Sequence, residues 1–221
     1  MINNELTWKN HLYGDMENEG LITQLSKRIG MMKKISKHMS QENLKYFASG
    51  IFYSKLNYCL PVFGNVFGLE NYKEDNSRYQ SFTTKENKNL QVLQNKAARI
   101  VTRLSWGTAT RTLLNQIGWL SVKQLYLYQY HSLLLVFKMQ HSGKPAYLKE
   151  KFRNNFAYQT RQATTSCFIL NDTPRTEKCR KSFVHNNIIT WNSLPADMRK
   201  TEKLTMFKLK LKEWVKKNVP I

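Results

Sequence analysis

The chain has 221 residues and a formal net charge of +20, with 41% hydrophobic and 12% aromatic residues. This apolar content excludes global disorder, and the length suffices for one large domain or two small ones. The large positive charge disfavours a small neutral substrate and favours a polyanion, either nucleic acid or an anionic membrane surface.

Helical periodicity dominates the first part of the chain. Glu19 to Met39 predicts a helix, because Ile22, Leu25, Ile29, Met32 and Met39 share one face. Ser40 is typical of an N-cap, and the helix that follows is expected to bury Leu44, Phe47, Ile51 and Leu56. Residues 69–88 are polar without an apolar period, and they predict a mobile surface loop.

Leu90 to Leu104 predicts an amphipathic helix with a basic stripe. Its apolar residues recur at helical spacing, and Lys96, Arg99 and Arg103 follow at i, i+3 and i+7 to one side of them. No acidic residue interrupts the stripe. Such a helix is suited to lie along a polyanion, although a merely solvated basic surface is the alternative.

The second half continues with helices. A short helix ends near Gly118, and Ser121 begins an almost wholly apolar helix that Gly143 and Pro145 terminate. Residues 153–182 are polar and rich in β-formers, which fits either a hairpin or an irregular loop. Leu204 to Lys217 predicts a final amphipathic helix. The expected fold is mainly α, a helical bundle with a short β-rich or irregular segment around 158–183.

The positive charge increases along the chain, and the sequence also indicates where in the cell the protein lies. Residues 1–90 carry 12 basic and 9 acidic residues, residues 91–150 carry 8 and 1, and residues 151–221 carry 15 and 5. The N-terminus lacks a signal-peptide pattern, and the most apolar stretch, Leu125 to Met139, is too short to span a bilayer. Three cysteines do not make a disulfide framework. We expect an intracellular protein, in the nucleus or the cytoplasm, that does not engage a membrane.

The sequence offers no catalytic, cofactor or metal site. Its four aspartates are scattered through polar stretches, and its nine glycines never approach a phosphate-binding spacing. Cys167, Cys179 and His185 do not match a common zinc pattern. His131 lies in an apolar helix and is typical of a hydrogen-bonded core residue. We therefore expect no catalytic residue, no cofactor, no metal ion and no small-molecule substrate.

Basic clusters are the remaining functional signal. In a chain of this charge they favour contacts with phosphates, against the alternative of a solvated basic surface. Nearby aromatic residues such as Tyr158 and Phe183 suggest base stacking, whereas Trp191 fits better as a core anchor beside the turn at Leu194-Pro195. The candidate nucleic-acid-binding residues are Lys27, Arg28, Lys33, Lys34, Lys96, Arg99, Arg103, Arg180 and Lys181.

Ordered motifs across the chain resemble the reverse transcriptases of jockey-like non-LTR retrotransposons. Four of them lie in the first half: LTWKNH (6–11), SKRIGMMKKI (26–35), SKLNYCLPVFGNVFG (54–68) and LQNKAARIV (93–101). The others are IGWLSV (117–122), KSF…WNSLPADMR (181–199) and FKLKLK (207–212). The chain departs from the family pattern in Phe67, where Trp is common, and in the length of the 69–88 loop.

The resemblance implies the part of such a polymerase that follows its palm. Residues 1–18 would be the remnant of the palm-to-thumb junction, 19–150 a helical thumb-like region, and 151–221 a basic C-terminal region. Thumbs of this family hold the template–primer duplex, so RNA, RNA–DNA hybrid or DNA is the expected partner, together with the missing palm and fingers. The family binds Mg²⁺ through palm aspartates that this chain lacks.

A truncated thumb has two further expected properties. The chain alone should not polymerise, and an active enzyme would have to give a primer-extension signal. An apolar face around Leu6, Trp8 and Leu12 should be exposed where the palm normally packs, which predicts self-association. The alternative to a nucleic-acid-binding fragment is a non-enzymatic interaction or scaffold module whose basic face binds an acidic protein.

Overall fold

A computed structural model describes residues 9–58, 84–127, 130–152, 168 and 182–218. They form a mainly α-helical fold with no β-sheet in those ranges, which confirms the predicted class. The segment around 158–183 lies outside the described residues, except for Phe168, Ser182 and Phe183. Phe183 is already helical.

The chain divides into two compact units. The first contains described residues 9–58 and 84–123, and the second contains those from 124 to 218. Residues 9–18 pack with the helix that follows them, within the first unit. Residues 130–149 pack with the C-terminal helices, within the second unit. The division into a junction, a thumb-like region and a basic C-terminal region stays a prediction.

The first unit consists of short helices around one long one. The helices are α1 (Lys9–Tyr13), α2 (Leu21–Ile35), α3 (Gln41–Ala48), α4 (Ser54–Asn57), α5 (Thr84–Thr102) and α6 (Thr110–Ile117). A π-helical turn, Ser49–Tyr53, connects α3 directly to α4. Helix α5 packs against α2, α3 and α6 and therefore forms the centre of this unit.

Local signals explain where α2 and α3 begin and end. Ser40 caps α3 as predicted, since its hydroxyl accepts a hydrogen bond from the amide of Asn43. Helix α2 buries Leu25 and Met32 as expected but ends at Ile35, four residues before Met39. Leu12 on α1 is buried against this unit, so its predicted exposure is wrong. Leu6 and Trp8 lie outside the described residues.

The π-helical turn changes which residues of the α3–α4 segment are buried. The buried positions are Leu44, Ala48, Phe52 and Leu56, whereas the predicted Phe47 and Ile51 are only half-buried. A strict spacing of four drifts around an α-helix, and the wider π turn offsets that drift. The turn packs against Trp119, whose indole N–H donates to the Ser49 hydroxyl at 3.3 Å.

Helix α5 is longer at its start and shorter at its end than predicted. It begins at Thr84, so the predicted loop over 69–88 is wrong for residues 84–88, and residues 69–83 lie outside the described ranges. It ends at Thr102, because Arg103 adopts a left-handed conformation with φ 57°. Leu104 therefore lies beyond the helix.

The second unit is built around an aromatic core. Its helices are α7 (Val122–Leu127), which starts at the unit boundary, α8 (Tyr130–Ser142), α9 (Ala146–Lys149), α10 (Phe183–Asn192), α11 (Ala196–Arg199) and α12 (Leu204–Asn218). The ring of Phe207 lies 4.3 Å from that of Phe137 and 5.7 Å from that of Trp191. Trp191 is fully buried, which confirms it as a core anchor.

Candidate nucleic-acid interface

Arg103 joins the ends of two helices in the first unit. Its Nη2 donates hydrogen bonds to the carbonyl oxygens of Ser36 at 3.2 Å and Met39 at 3.0 Å, both in the segment between α2 and α3. The left-handed backbone at Arg103 turns the chain out of α5 at the point where these bonds form. The residue predicted to extend the basic stripe therefore also ties α5 to the end of α2.

Arg99 is also committed to an intramolecular contact. Its guanidinium lies 5.1 Å from the ring centroid of Trp106, and Nη2 donates to the Trp106 carbonyl oxygen at 3.2 Å. Arg99 is half-buried as a residue, whereas Trp106 is 76% exposed. Nothing in a lone Trp-Gly pair between two helical segments of the sequence signals that its indole faces solvent.

The predicted stripe consists of three residues in different settings. Lys96 is exposed on α5, Arg99 is held by Trp106, and Arg103 lies beyond the helix. All three remain on the C-terminal half of α5 or just after it. These three cations therefore do not form a straight stripe along one helix. With the neighbouring end of α2 they form one surface.

That surface, which we name the basic end, is formed where the C-termini of α2 and α5 meet. Lys33 and Lys34 lie in the last turn of α2, and Lys37 lies in sequence between Ser36 and Met39, whose carbonyl groups Arg103 contacts. The three lysines are exposed. The members of the basic end are Lys33, Lys34, Lys37, Lys96, Arg99 and Arg103.

Two features limit how strongly the basic end attracts an anion. Cations at a helix C-terminus offset the negative end of the helix dipole, so part of this charge stabilises α2 and α5. Glu42 is an exposed carboxylate at the start of α3, and it lines an open groove of about 350 Å³ with Lys45 and Thr102. The Gln41 side chain also lines this groove and donates a 3.4 Å hydrogen bond to the Thr102 carbonyl oxygen.

Lys27 and Arg28 make structural contacts instead of lying free on α2. The Lys27 ammonium forms an ion pair with Glu19 at the surface. The half-buried Arg28 donates to the carbonyl oxygen of Ile51 in the π-helical turn. Arg28 therefore links α2 to the α3–α4 segment, and we exclude it from the basic end. Arg180 and Lys181 lie outside the described residues.

The C-terminal helix carries the other described concentration of cations. In the stripe of Lys203, Lys210 and Lys217, Lys210 is half-buried and contacts Asp197 at 3.7 Å and the Thr201 hydroxyl at 3.4 Å. Between these lysines, Met206 and Leu209 are 47% and 58% exposed. This surface mixes positive charge with apolar side chains and a carboxylate.

Burial and local hydrogen bonds determine the protonation of His131 and Asp15. Burial, and then the charge of Lys208, lowers the pKa of His131, so this side chain is neutral near pH 7. The pKa of Asp15 is lowered because its carboxylate accepts hydrogen bonds from the amides of Asn18 and Glu17. Within the described part, no three His, Cys, Asp or Glu side chains form a group able to hold a metal ion.

No protein-family model, curated protein or solved structure matches this chain. In the ranges that the structure describes, no helix has both the length and the apolar character that crossing a membrane requires.

Proposed function

We propose that this chain is a non-catalytic thumb and post-thumb fragment of a non-LTR retrotransposon reverse transcriptase, and that it binds nucleic acid through phosphates without reading sequence. The observation that carries the proposal is the basic end, where the cations of two helices meet around the Arg103 tether. The motifs that resemble the family provide independent support.

The arrangement of the basic end suits a phosphate backbone. Lys33, Lys34 and Lys37 extend from the end of α2, and Lys96 lies on α5 one turn before Arg99. Exposed lysines on separate helices contact successive phosphates without a fixed geometry, which neutralises charge but does not identify bases. An A-form RNA–DNA hybrid is the proposed preferred ligand, since such helices are recognised through shape and phosphates.

Polymerisation is not part of the proposed function. Nucleotidyl transfer needs closely placed carboxylates that hold two metal ions, and the sequence has no paired aspartates. The palm that supplies them in the family is not represented among these 221 residues. We therefore expect no primer extension when the purified chain is mixed with template, primer, nucleotides and Mg²⁺.

A salt titration tests the proposed function. Fluorescence anisotropy should show the full chain binding a short labelled RNA–DNA hybrid at about 50 mM salt, with affinity falling steeply as salt rises. Hybrids of unrelated sequence should bind within about twofold of each other, because phosphate contacts carry no sequence information. No binding at low salt would remove the proposal.

The same titration separates nucleic acid from an acidic protein partner. Polyglutamate of matched total charge should compete poorly, because its charges are spaced more widely than those of a duplex and binding it releases fewer counterions. Equal competition by polyglutamate would favour the alternative, an interaction module that binds an acidic protein.

A further inference from the structure

The connection between α5 and α6 exposes a large aromatic side chain that folding does not explain. Trp106 is 76% exposed, although an indole normally contributes to a core or to an interface. The neighbouring Gly107 is exposed as well, and a Cβ added there would meet nothing within 4 Å beyond its two chain neighbours, so the backbone next to Trp106 is uncovered. An exposed indole in this setting has room for a planar ligand.

The connection is held at several points, so the position of the indole is defined. The Thr108 amide donates to the Ser105 carbonyl at 3.2 Å, and the hydroxyls of the same two residues lie 3.3 Å apart. Further along, the Asn95 amide group donates to the Thr110 hydroxyl at 2.8 Å, which ties the start of α6 to α5. A fixed aromatic side chain loses little entropy when a ligand stacks on it.

Arg99 prepares the indole for an anion-bearing aromatic ligand. The guanidinium lies over the ring at 5.1 Å, and its bond to the Trp106 carbonyl holds it there. The guanidinium occupies one face of the indole, so a base that stacks on the opposite face has this positive charge across the ring. Residues 89–149 contain no aspartate or glutamate, so no acidic residue of this stretch repels phosphate.

We propose that Trp106, supported by Arg99, binds an unpaired base of a nucleic acid, as found in a single strand or an overhang. This inference rests on the proposed function and names a second ligand class for the same surface. A base inside a duplex is stacked on both faces and cannot reach the indole, whereas an unpaired base can. Lys96, which is exposed on α5 one helical turn before Arg99, contacts a flanking phosphate.

The test compares two forms of one hybrid. One form has both ends closed by alkyl linkers and so contains no unpaired base, and the other carries a short single-stranded overhang. The full chain should bind the overhang form at least about fivefold more tightly, the lower limit for stacking one base on an aromatic side chain. Intrinsic tryptophan fluorescence should be quenched by the overhang form only.

Four variants assign the preference to the indole. Trp106→Leu should lose the preference and the quenching while binding the closed hybrid within about twofold of wild type, and Trp106→Phe should retain most of the preference. Tyr46→Leu, which removes another exposed aromatic ring (69%) in the same unit, should change neither affinity. Lys96→Gln should instead lower the salt dependence for both ligands by about one unit of slope.

The outcomes distinguish failure of this inference from failure of the proposed function. Salt-dependent binding of the closed hybrid without any preference for the overhang would overturn the stacking inference and leave the proposed function standing. A Trp106→Leu variant that keeps the preference, or that binds both ligands more weakly by the same factor, would also overturn the stacking inference. Absence of binding to either ligand at about 50 mM salt would overturn both.

Discussion

The basic end of the first unit and the C-terminal helix of the second are both rich in lysine, but their surroundings differ. At the basic end, Arg103 connects two helix termini, and Arg99 lies beside the exposed Trp106. On α12, Lys210 is paired with Asp197, and Met206 and Leu209 separate the cations. Net charge alone does not distinguish these surfaces. The arrangement of neighbouring groups does, and it is the reason why the first surface is the one we propose for binding.

The largest expected effect concerns the core that supports α12. Trp191→Ala should lower the free energy of unfolding by about 3–5 kcal/mol, because it removes a fully buried indole packed on Phe207 and Phe168. Chemical denaturation followed by circular dichroism measures the change. A loss below about 1 kcal/mol would mean that the aromatic core does not hold this helix.

A smaller effect is expected at the tether of the basic end. Arg103→Ala should lower the free energy of unfolding by about 1–3 kcal/mol, since a charged donor to two carbonyl groups is lost. Lys96→Ala, on the exposed side of α5, is the matched control and should change stability by less than about 0.5 kcal/mol. Equal effects of the two variants would contradict the distinct role given to Arg103.

The smallest expected effect is a dependence of stability on pH. Burial lowers the pKa of His131 and of His11, so below about pH 6.5 the unfolded chain binds more protons than the folded one. Stability should therefore be complete above that pH and should fall as the pH decreases towards about 5. Asp15, whose pKa is also lowered, contributes only at more acidic pH.

Replacing one histidine isolates its share of this dependence. His131→Gln should flatten the change in melting temperature between about pH 7 and pH 5, with the residual slope coming from His11. A variant with the same slope as wild type would show that His131 titrates equally in the folded and unfolded chains.

The sequence predicts most of the helices because their apolar periodicity is regular. The Ser40 cap, the final amphipathic helix and the core position of Trp191 are confirmed. The sequence does not predict the start of α5, because Thr84 to Lys88 contains no apolar residue that would mark a buried face. The π-helical turn was missed because periodicity analysis assumes a constant number of residues per turn.

The candidate site was less predictable than the helices. Lys96, Arg99 and Arg103 were found from their spacing, but their separate roles depend on contacts that are distant in sequence. Arg103 reaches Ser36 and Met39 more than 60 positions earlier, and no local pattern encodes that contact. Trp106 was overlooked because its exposure depends on how the connection to α6 is held.

The most direct test of the account removes equal charge from the two regions. The first variant replaces the four lysines of the basic end (K33Q/K34Q/K37Q/K96Q), and its control replaces four exposed lysines on and before α12 (K200Q/K203Q/K208Q/K217Q). The measurement is the slope of log affinity against log salt concentration for the RNA–DNA hybrid. We predict that the slope of the first variant becomes less steep by about 0.9 for each phosphate contact removed, whereas the slope of the control stays close to that of wild type. Equal losses in both variants would contradict it, because binding would then depend on total charge and not on the basic end.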